Sequence, residues 1–573
     1  MFAFASAALA AAQQPASQPS PPKPAASPPS ASKCALAFRD VTAESGLAAF
    51  AQVNGDSEKL LILESIGAGV AFLDYDQDGD HDAWLTNGGR LEAASGAAVV
   101  RDELFENTGG KPGAPRFRAV GKELGADDAG WTMGIAVADV DADGDDDVYL
   151  TQWGPNTLLE NRAGRGFAPV EAASGAADPA WSTGACFFDS DADGDLDLYV
   201  GNYVAFEADF VRKKPMTKYK DVSVYAGPRG LEPAQDTYWV NDGRGRYADA
   251  TAAAGIAGHK GFAFQVVPLD VDQDGWLDLF VANDSIANRL WINGKDGTFR
   301  EDALRSGVAL SKFGMAQAGM GVALGDANGD LRLDLFLSTF TDDASTLFRN
   351  EGRGLFRDVS QPSGLAVATT PRLGWGALIA DLDGDADAEI VQINGHVYPQ
   401  VDRVPFGFQY RQAPQLFENR GKCRFADVSA SVGGAFAAPL AGRGLALGDC
   451  DNDGDPDLLI GQLDGPPLLL ANESARARPA LVVRLVGRTG PRDPIGARVL
   501  CSAGGQRELA TWVRNQSFLS AHAAELWFAP AASAETVELL VAWPNGACER
   551  YEAPARGAHT LIEGDGSAAQ WPQ

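Results

Sequence analysis

Asp139–Asp147 reads DVDADGDDD, with acids at its first, third, fifth and ninth positions and a glycine at the sixth. Carboxylates alternating around a turn glycine converge several oxygens on one point, which is what a hard divalent cation needs. The pattern D-x-[DN]-x-D-G-x-x-[DE] recurs, in full or relaxed form, at seven places starting at Asp74, Asp139, Asp189, Asp270, Asp326, Asp381 and Asp449. Successive starts lie 65, 50, 81, 56, 55 and 68 residues apart. A period of this length means a solenoid, a propeller or an array of modules.

The flanks choose the propeller. A glycine stands five residues ahead of the first acid in six of the seven copies (Gly69, Gly134, Gly184, Gly321, Gly376, Gly444), and Gln265 replaces it in the fourth. Short strands of small and apolar residues, such as GVAFLD and GIAVAD, suit a place where several sheets crowd around an axis. A second strand follows each loop (AWLTN, VYLTQW, LYVGNY, LFVAN). Two more meet at a Gly/Asn turn, as in LWINGKDGTFRED. Four strands per repeat make a propeller blade. The seventh repeat ends near Leu470 without its fourth strand, and a matching FRDV appears at Phe38–Val41. The expected fold is therefore an all-β, seven-bladed propeller over 38–475. The N-terminal strand closes it, which also removes an exposed edge. Residues 476–563, with alternation at Leu481, Val483 and Leu485 and at Val537, Leu539 and Val541, read as a small β-sandwich-like domain, and 564–573 as a tail.

Each loop supplies a ligand set. The first offers Asp74, Asp76, Asp78 and Asp82; the second Asp139, Asp141, Asp143 and Asp147; the third Asp189, Asp191, Asp193 and Asp197. The fourth offers Asp270, Asp272, Asp274 and Asp278; the fifth Asp326, Asn328, Asp330 and Asp334. The sixth offers Asp381, Asp383, Asp385 and Glu389; the seventh Asp449, Asp451, Asp453 and Asp457. All-oxygen ligands favour calcium over zinc or copper, and magnesium resists such full protein ligation. Strand flanks and a missing Glu at position twelve exclude an EF-hand. The expected cofactor is Ca²⁺, up to seven ions. Leu331 and Ala386 stand where the glycine belongs in loops five and six. A β-carbon forced to positive φ costs roughly 1–2 kcal/mol, so those two sites are expected to be weaker.

The 573 residues carry 47 Lys+Arg against 77 Asp+Glu, a net charge of −30. That balance argues against nucleic acid or an anionic membrane as the main partner. No run long and apolar enough to span a membrane lies beyond the extreme N-terminus. Residues 1–12, MFAFASAALAAA, resemble the apolar core of a secretory signal, though without a basic leader. Residues 13–33, rich in Pro, Ala and Ser, read as an extended tether. A secreted, cell-surface or periplasmic location is expected. Cys501 and Cys548 share the C-terminal region and are candidates for a disulfide, while Cys186, Cys423 and Cys450 read as buried apolar residues.

With these residues in view, the chain resembles FG-GAP/VCBS-type calcium propellers. More specifically it resembles the cartilage acidic protein family, which joins such a propeller to an ASPIC/UnbV domain. The tail carries the likeness in LVGRTGPRDPIGARV (485–499), NQSFLSAH (515–522), LWF (526–528) and VAWPNG (541–546), as does NGHVYP at 394–399. The resemblance implies secreted calcium-binding proteins concerned with adhesion or matrix contact.

Two long connections mark where a partner would sit. Residues 202–236 mix Arg212, Lys213, Lys214, Lys218 and Lys220 with Tyr203, Phe206, Phe210, Tyr219 and Tyr225, which suits an anionic or sugar-like partner or else pads the disc. Residues 394–415 carry His396, Tyr398, Arg403 and Phe406. Trp131, Trp181, Phe262 and Trp375 are expected to fill the central mouth, with His259 and His396 on that face and His81 without a chemical part. The expected function is a binding or adhesion module for a protein or glycan. The alternative is a polysaccharide-active lyase or hydrolase with its site in the central funnel, for which no nucleophile motif, acid/base spacing or cofactor box is present.

Overall fold

The computed structural model describes residues 36–91, 99–110, 113–171, 175–214, 216–405 and 407–572. The leader at 1–12, the tether at 13–33 and Phe406 lie outside the described residues.

The strands beside each acidic loop are near-continuous apolar runs because both their faces are covered. Trp131–Ala138 is buried throughout, and so is Asp147–Trp153 except for its last residue. The two pair antiparallel with Ala138 opposite Asp147, which makes the acidic loop the hairpin connection. Thr157–Asn161 and Phe167–Pro169 complete a four-stranded sheet. The described residues hold seven such sheets, whose first strands begin at Val70, Trp131, Ser182, Ala263, Gly319, Gly374 and Gly442. In the seventh, the fourth strand is Phe38–Asp40, which pairs with Leu468–Asn472, Phe38 opposite Asn472. First strands of consecutive sheets pack on one another, and that of the seventh packs on that of the first. The chain is all-β apart from short helical turns.

The repeated glycines sit where these first strands crowd. A β-carbon at Gly69 would fall 2.2 Å from the Leu519 carbonyl oxygen, and one at Gly321 would fall 2.1 Å from that of Trp375. No side chain fits there.

Residues after the seventh sheet form two further sheets. Leu481–Val486 lies between Leu526–Phe528 and, in parallel, Gly557–Ile562. A five-stranded antiparallel sheet runs in the order Gln506–Thr511, Arg498–Ala503, Thr536–Ala542, Cys548–Pro554 and Ser567–Ala568. Their core is continuous with the ring: Val483, Val499, Val541 and Trp543 share one buried cluster with Phe187 and Leu198. The Cys501–Cys548 disulfide does not form. Both thiols are free, and a whole strand, Thr536–Ala542, separates their own. Two strand spacings of about 4.8 Å exceed what a disulfide can bridge. Cys186, Cys423 and Cys450 are buried free thiols.

The segment Arg514–Ala523 leaves this second unit and enters the hub. Ser517 and Val322 exchange backbone hydrogen bonds of 2.7 Å each. Ala521 N–H donates to the Val70 carbonyl (3.1 Å), Ile135 N–H to that of Leu519 (3.2 Å) and Ala523 N–H to that of Leu447 (2.9 Å). Ala377 N–H donates to Ser517 Oγ (3.1 Å). At the one inner position without glycine, Gln265 Oε1 accepts from Leu519 N–H (3.0 Å). The Phe518 ring, fully buried, lies 4.8 Å from Trp375 and 5.8 Å from Phe264. Trp131, Trp181, Phe262 and Trp375 join it in one buried cluster, so aromatic side chains fill the axis as expected. A cavity of about 40 Å³ remains there.

Candidate metal centres

The second loop displays the geometry from which the others vary. Gly144 N–H donates to Asp139 Oδ2 (3.0 Å), and Asp143 N–H to Asp141 Oδ1 (3.2 Å). Val140 N–H donates to Asp147 Oδ2 (3.1 Å), and Asn161 N–H, from the third strand, to Asp147 Oδ1 (2.8 Å). The ninth-position acid therefore works as a clamp that closes its loop and holds it to the third strand. Asp82, Asp278, Asp334, Glu389 and Asp457 take the same pair of bonds. Asp197 keeps the Asn241 bond but turns its other oxygen to the Ser190 hydroxyl.

The remaining oxygens converge. Ligand atoms of Asp74, Asp76 and Asp78 lie within 4.8 Å of one another, as do those of Asp189, Asp191 and Asp193 and of Asp381, Asp383 and Asp385. In loops two and four the trio is the first, third and ninth acids: Asp139, Asp141 and Asp147, and Asp270, Asp272 and Asp278. These clusters could hold a metal ion. Loops five and seven keep the first-position bond, from Leu331 N–H to Asp326 Oδ2 (2.7 Å) and from Gly454 N–H to Asp449 Oδ2 (2.8 Å). Asn328 spends its amide nitrogen on Asp334 Oδ2 (3.0 Å), a bond no carboxylate could make.

Two observations fit these loops to a cation. Asp74 Oδ1, Asp76 Oδ1, Asp139 Oδ1 and Asp383 Oδ1 are buried without a hydrogen-bond partner, and a buried acceptor left unpaired is costly. The carboxyls are also held far above their ordinary range by burial first, then by like charges alongside. Asp139 is pushed up to about 8, Asp82 and Asp147 to about 9, and Asp278 to about 8. Backbone N–H donors pull the other way without offsetting the burial. A divalent ion would supply the missing partner and neutralise the charge together.

Every loop contains two positive-φ positions, the fourth and the sixth. In loops one to four and seven the sixth is glycine, and the fourth is Gln77, Ala142, Ala192, Gln273 or Asn452 at φ between 57° and 62°. In loops five and six the glycine has moved to the fourth position, Gly329 (φ 74°) and Gly384 (φ 70°), while Leu331 (65°) and Ala386 (73°) hold the sixth. Each loop thus carries one strained non-glycine residue. Backbone strain therefore does not set the fifth and sixth sites apart as weaker, contrary to expectation.

A feature the sequence reading missed is the asparagine at or near the end of each third strand. Its backbone N–H meets the ninth acid, and in six of the seven sheets its side-chain amide crosses to the neighbouring loop; in the fifth, Asn350 Nδ2 donates to the Leu333 carbonyl of its own loop (3.2 Å). Asn161 Nδ2 donates to the Tyr75 carbonyl (2.8 Å), Asn241 to Val140 (2.9 Å) and Asn293 to Ser190 (2.7 Å). Asn419 donates to Ala327 (3.2 Å) and Asn472 to Leu382 (2.9 Å). Asn107 reaches the Cys450 carbonyl of the seventh loop at 2.8 Å. The repeated E-N, I-N and R-N endings in the strands were the available signal.

The second unit rests on the loop side. Arg492 Nε lies 3.4 Å from Asp139 Oδ2, Arg498 Nη2 3.5 Å from Asp270 Oδ2 and Arg476 Nη1 3.0 Å from Asp455 Oδ1. Buried Arg514 bonds both oxygens of Asp146 and approaches Asp493 at 3.4 Å. His81 has a structural part here: its Nε2 lies 3.1 Å from Glu525 Oε2, and Arg484 forks onto Glu525 Oε1 at 2.8 and 2.6 Å. Burial alone would lower the imidazole's pKa, but the Glu525 carboxylate outweighs it and holds His81 above the usual value.

On the connections, Tyr203, Phe206 and Tyr225 are buried, while Phe210 is exposed and Lys214 Nζ sits 5.1 Å from its ring. His396 is buried, and burial lowers its pKa to about 3, so it stays neutral; its Nδ1 accepts from Tyr398 N–H (3.0 Å). His259 is exposed, edge-on to Trp291 at 5.1 Å.

This is an all-β protein of acid-looped, four-stranded repeats, and comparison gives the repeats a family. The FG-GAP-like repeat profile matches residues 139–200, 270–337 and 328–391, and the ASPIC and UnbV profile matches 487–568. The chain joins FG-GAP-like repeats to an ASPIC and UnbV domain. Among curated proteins it is similar to cartilage acidic protein 1 of Mus musculus, 25% identical over 294 residues, covering 47% of this chain and 41% of that protein. The Homo sapiens protein of the same name is 25% identical over 294 residues, covering 47% and 40%. The match thus spans about two fifths of those relatives' length. Among solved structures, an Agrocybe aegerita lectin recognising non-reducing terminal N-acetylglucosamine overlaps 70% of this chain and 87% of its own, at 16% identity and a TM-score of 0.37. That likeness says nothing about a ligand here.

Proposed function

We propose that the chain is a calcium-stabilised, seven-bladed propeller over 38–475, closed by its N-terminal strand. In this reading it carries the ASPIC/UnbV-like domain at 476–563 and binds a protein or glycan partner outside the cell, at its surface or in the periplasm. The observation that supports it best is the convergence of carboxylate oxygens in loops one to four and six, with buried, unpartnered oxygens in loops one, two and six. Calcium would be held by the first, third and fifth acids, with the ninth clamping the loop and joining the ligand set in loops two and four. Extracellular calcium modules bind at about 10⁻⁴–10⁻³ M, so such loops fill outside a cell. Among the described residues no helix is long and apolar enough to cross a membrane.

The enzyme alternative needs an open funnel, and Phe518 with Trp375 and Phe264 takes that space. A glycan array and a pull-down, each run with calcium and with chelator, test the reading. Calcium-dependent capture of a partner is expected. Calcium-independent hydrolysis or cleavage of a polysaccharide would contradict it.

A further inference from the structure

An open trough of about 900 Å³ runs beside the second long connection, lined by Arg372, Arg403, Val404, Phe408, Arg411 and Gln412. Asp402 is the acid on its wall, and its Oδ1 is committed to Tyr410 N–H at 2.8 Å. Two of the three guanidinium groups have no acidic partner among the described residues. Arg372 Nε is buried without a hydrogen-bond partner among the described residues. Arg411 Nη1 bonds a neutral oxygen, Gln462 Oε1, at 3.0 Å. Arg403 pairs with Glu58, with 61% of its side chain still exposed. The first connection adds a fourth cation: Lys220, in the turn between Thr217–Tyr219 and Val222–Val224, places its Nζ 4.7 Å from the centre of the Phe408 ring. It pairs there with Asp342.

In a chain of net charge −30, Arg372 and Arg411 line the trough with no acid paired to either among the described residues, while Glu58 and Asp342 neutralise Arg403 and Lys220 and Asp402 stands on the wall. Planar guanidinium forks match two-oxygen anions bidentately. The Phe408 ring is taken up by a stack on His396 at 5.4 Å and by Lys220, so Val404, Pro405 and Pro439 supply the apolar wall that a sugar face would cover. A long, densely charged polymer would have to run on over a repelling surface, whereas a short acidic sugar need not.

We propose that the trough binds the carboxylate groups of an acidic oligosaccharide. This deepens, and rests on, the binding-module reading above. The test is calorimetry on the calcium-loaded full chain with trigalacturonate, the matching neutral trisaccharide and a short single-stranded DNA. Trigalacturonate is expected to bind, weakening steeply between about 50 and 300 mM salt, with the other two silent. Arg372→Gln and Arg411→Gln should each weaken it about fivefold or more at unchanged melting temperature. Arg403→Gln, at an exposed side chain, keeps the test open should Arg372→Gln fold poorly. Undiminished binding in all three variants overturns the trough, as does DNA binding as tightly as the uronate. If only the neutral sugar or a protein partner binds, the trough assignment fails and the binding-module reading stands. If no glycan or protein binds at all, both fail.

Discussion

The side-chain amide of Asn107 donates to the backbone carbonyl of Cys450 across 2.8 Å, joining the first four-stranded sheet to the acidic loop of the seventh. The same amide also donates to the His81 carbonyl of its own loop at 3.2 Å. Loop shape and ring continuity therefore run through one residue.

Replacing Asn107 with alanine leaves two buried carbonyls and a turn donor unpaired. A loss of about 1–3 kcal/mol is expected, seen as a lower melting temperature together with weaker calcium uptake. A melt within about 0.5 kcal/mol of wild type would show that the amide bond is dispensable.

Phe518→Ala removes the ring wedged between Trp375 and Phe264. A cost of about 3–5 kcal/mol is expected. Because Arg514–Ala523 bonds strands of several sheets, both units should still unfold in one calorimetric transition in the wild type. Two separate transitions would show that the segment does not couple them.

The raised carboxyls set a pH dependence. Their folded-state values, from about 6 for Asp74 and Asp197 to about 9 for Asp82 and Asp147, lie above the unfolded value near 3.8. In that window the metal-free folded chain holds more protons than the unfolded chain, so its stability falls as pH rises from about 4 to 9. Calcium binds the deprotonated form and removes the effect. The chelated protein should melt higher at pH 5 than at pH 8, with the gap to the calcium form widening upward. Equal gaps at both pH values would contradict this.

Gly329→Ala adds a second left-handed non-glycine residue to loop five, where no heavy atom lies within 4 Å of the new β-carbon. About 1 kcal/mol of destabilisation is expected, and the fifth site alone should weaken. An unaffected titration would mean the displaced glycine carries no strain relief.

The repeat was legible because its acids and glycines are local requirements of a nine-residue turn. The pairing of Phe38–Asp40 with Leu468–Asn472 was legible for a related reason: a missing strand at one end matched a spare one at the other. Other features were not, because their partners lie far away in the chain. Gln265 reads as a lapse in a glycine column until Leu519 is seen donating to it. His81 looks like a loop filler until Glu525 appears beside it. The exchange of glycine from the sixth to the fourth position needed backbone angles, since both positions look alike in letters. The third-strand asparagines looked like turn residues, and only their cross-loop bonds gave them a second duty.

The central claim is that these acids are ligands of structural calcium. Equilibrium dialysis of chelator-stripped protein against millimolar calcium, with stoichiometry read by elemental analysis and paired melting curves, tests it most directly. Several ions per chain, up to seven, and a markedly raised melting temperature are expected. A chain that takes up no calcium and melts identically in chelator would contradict the account.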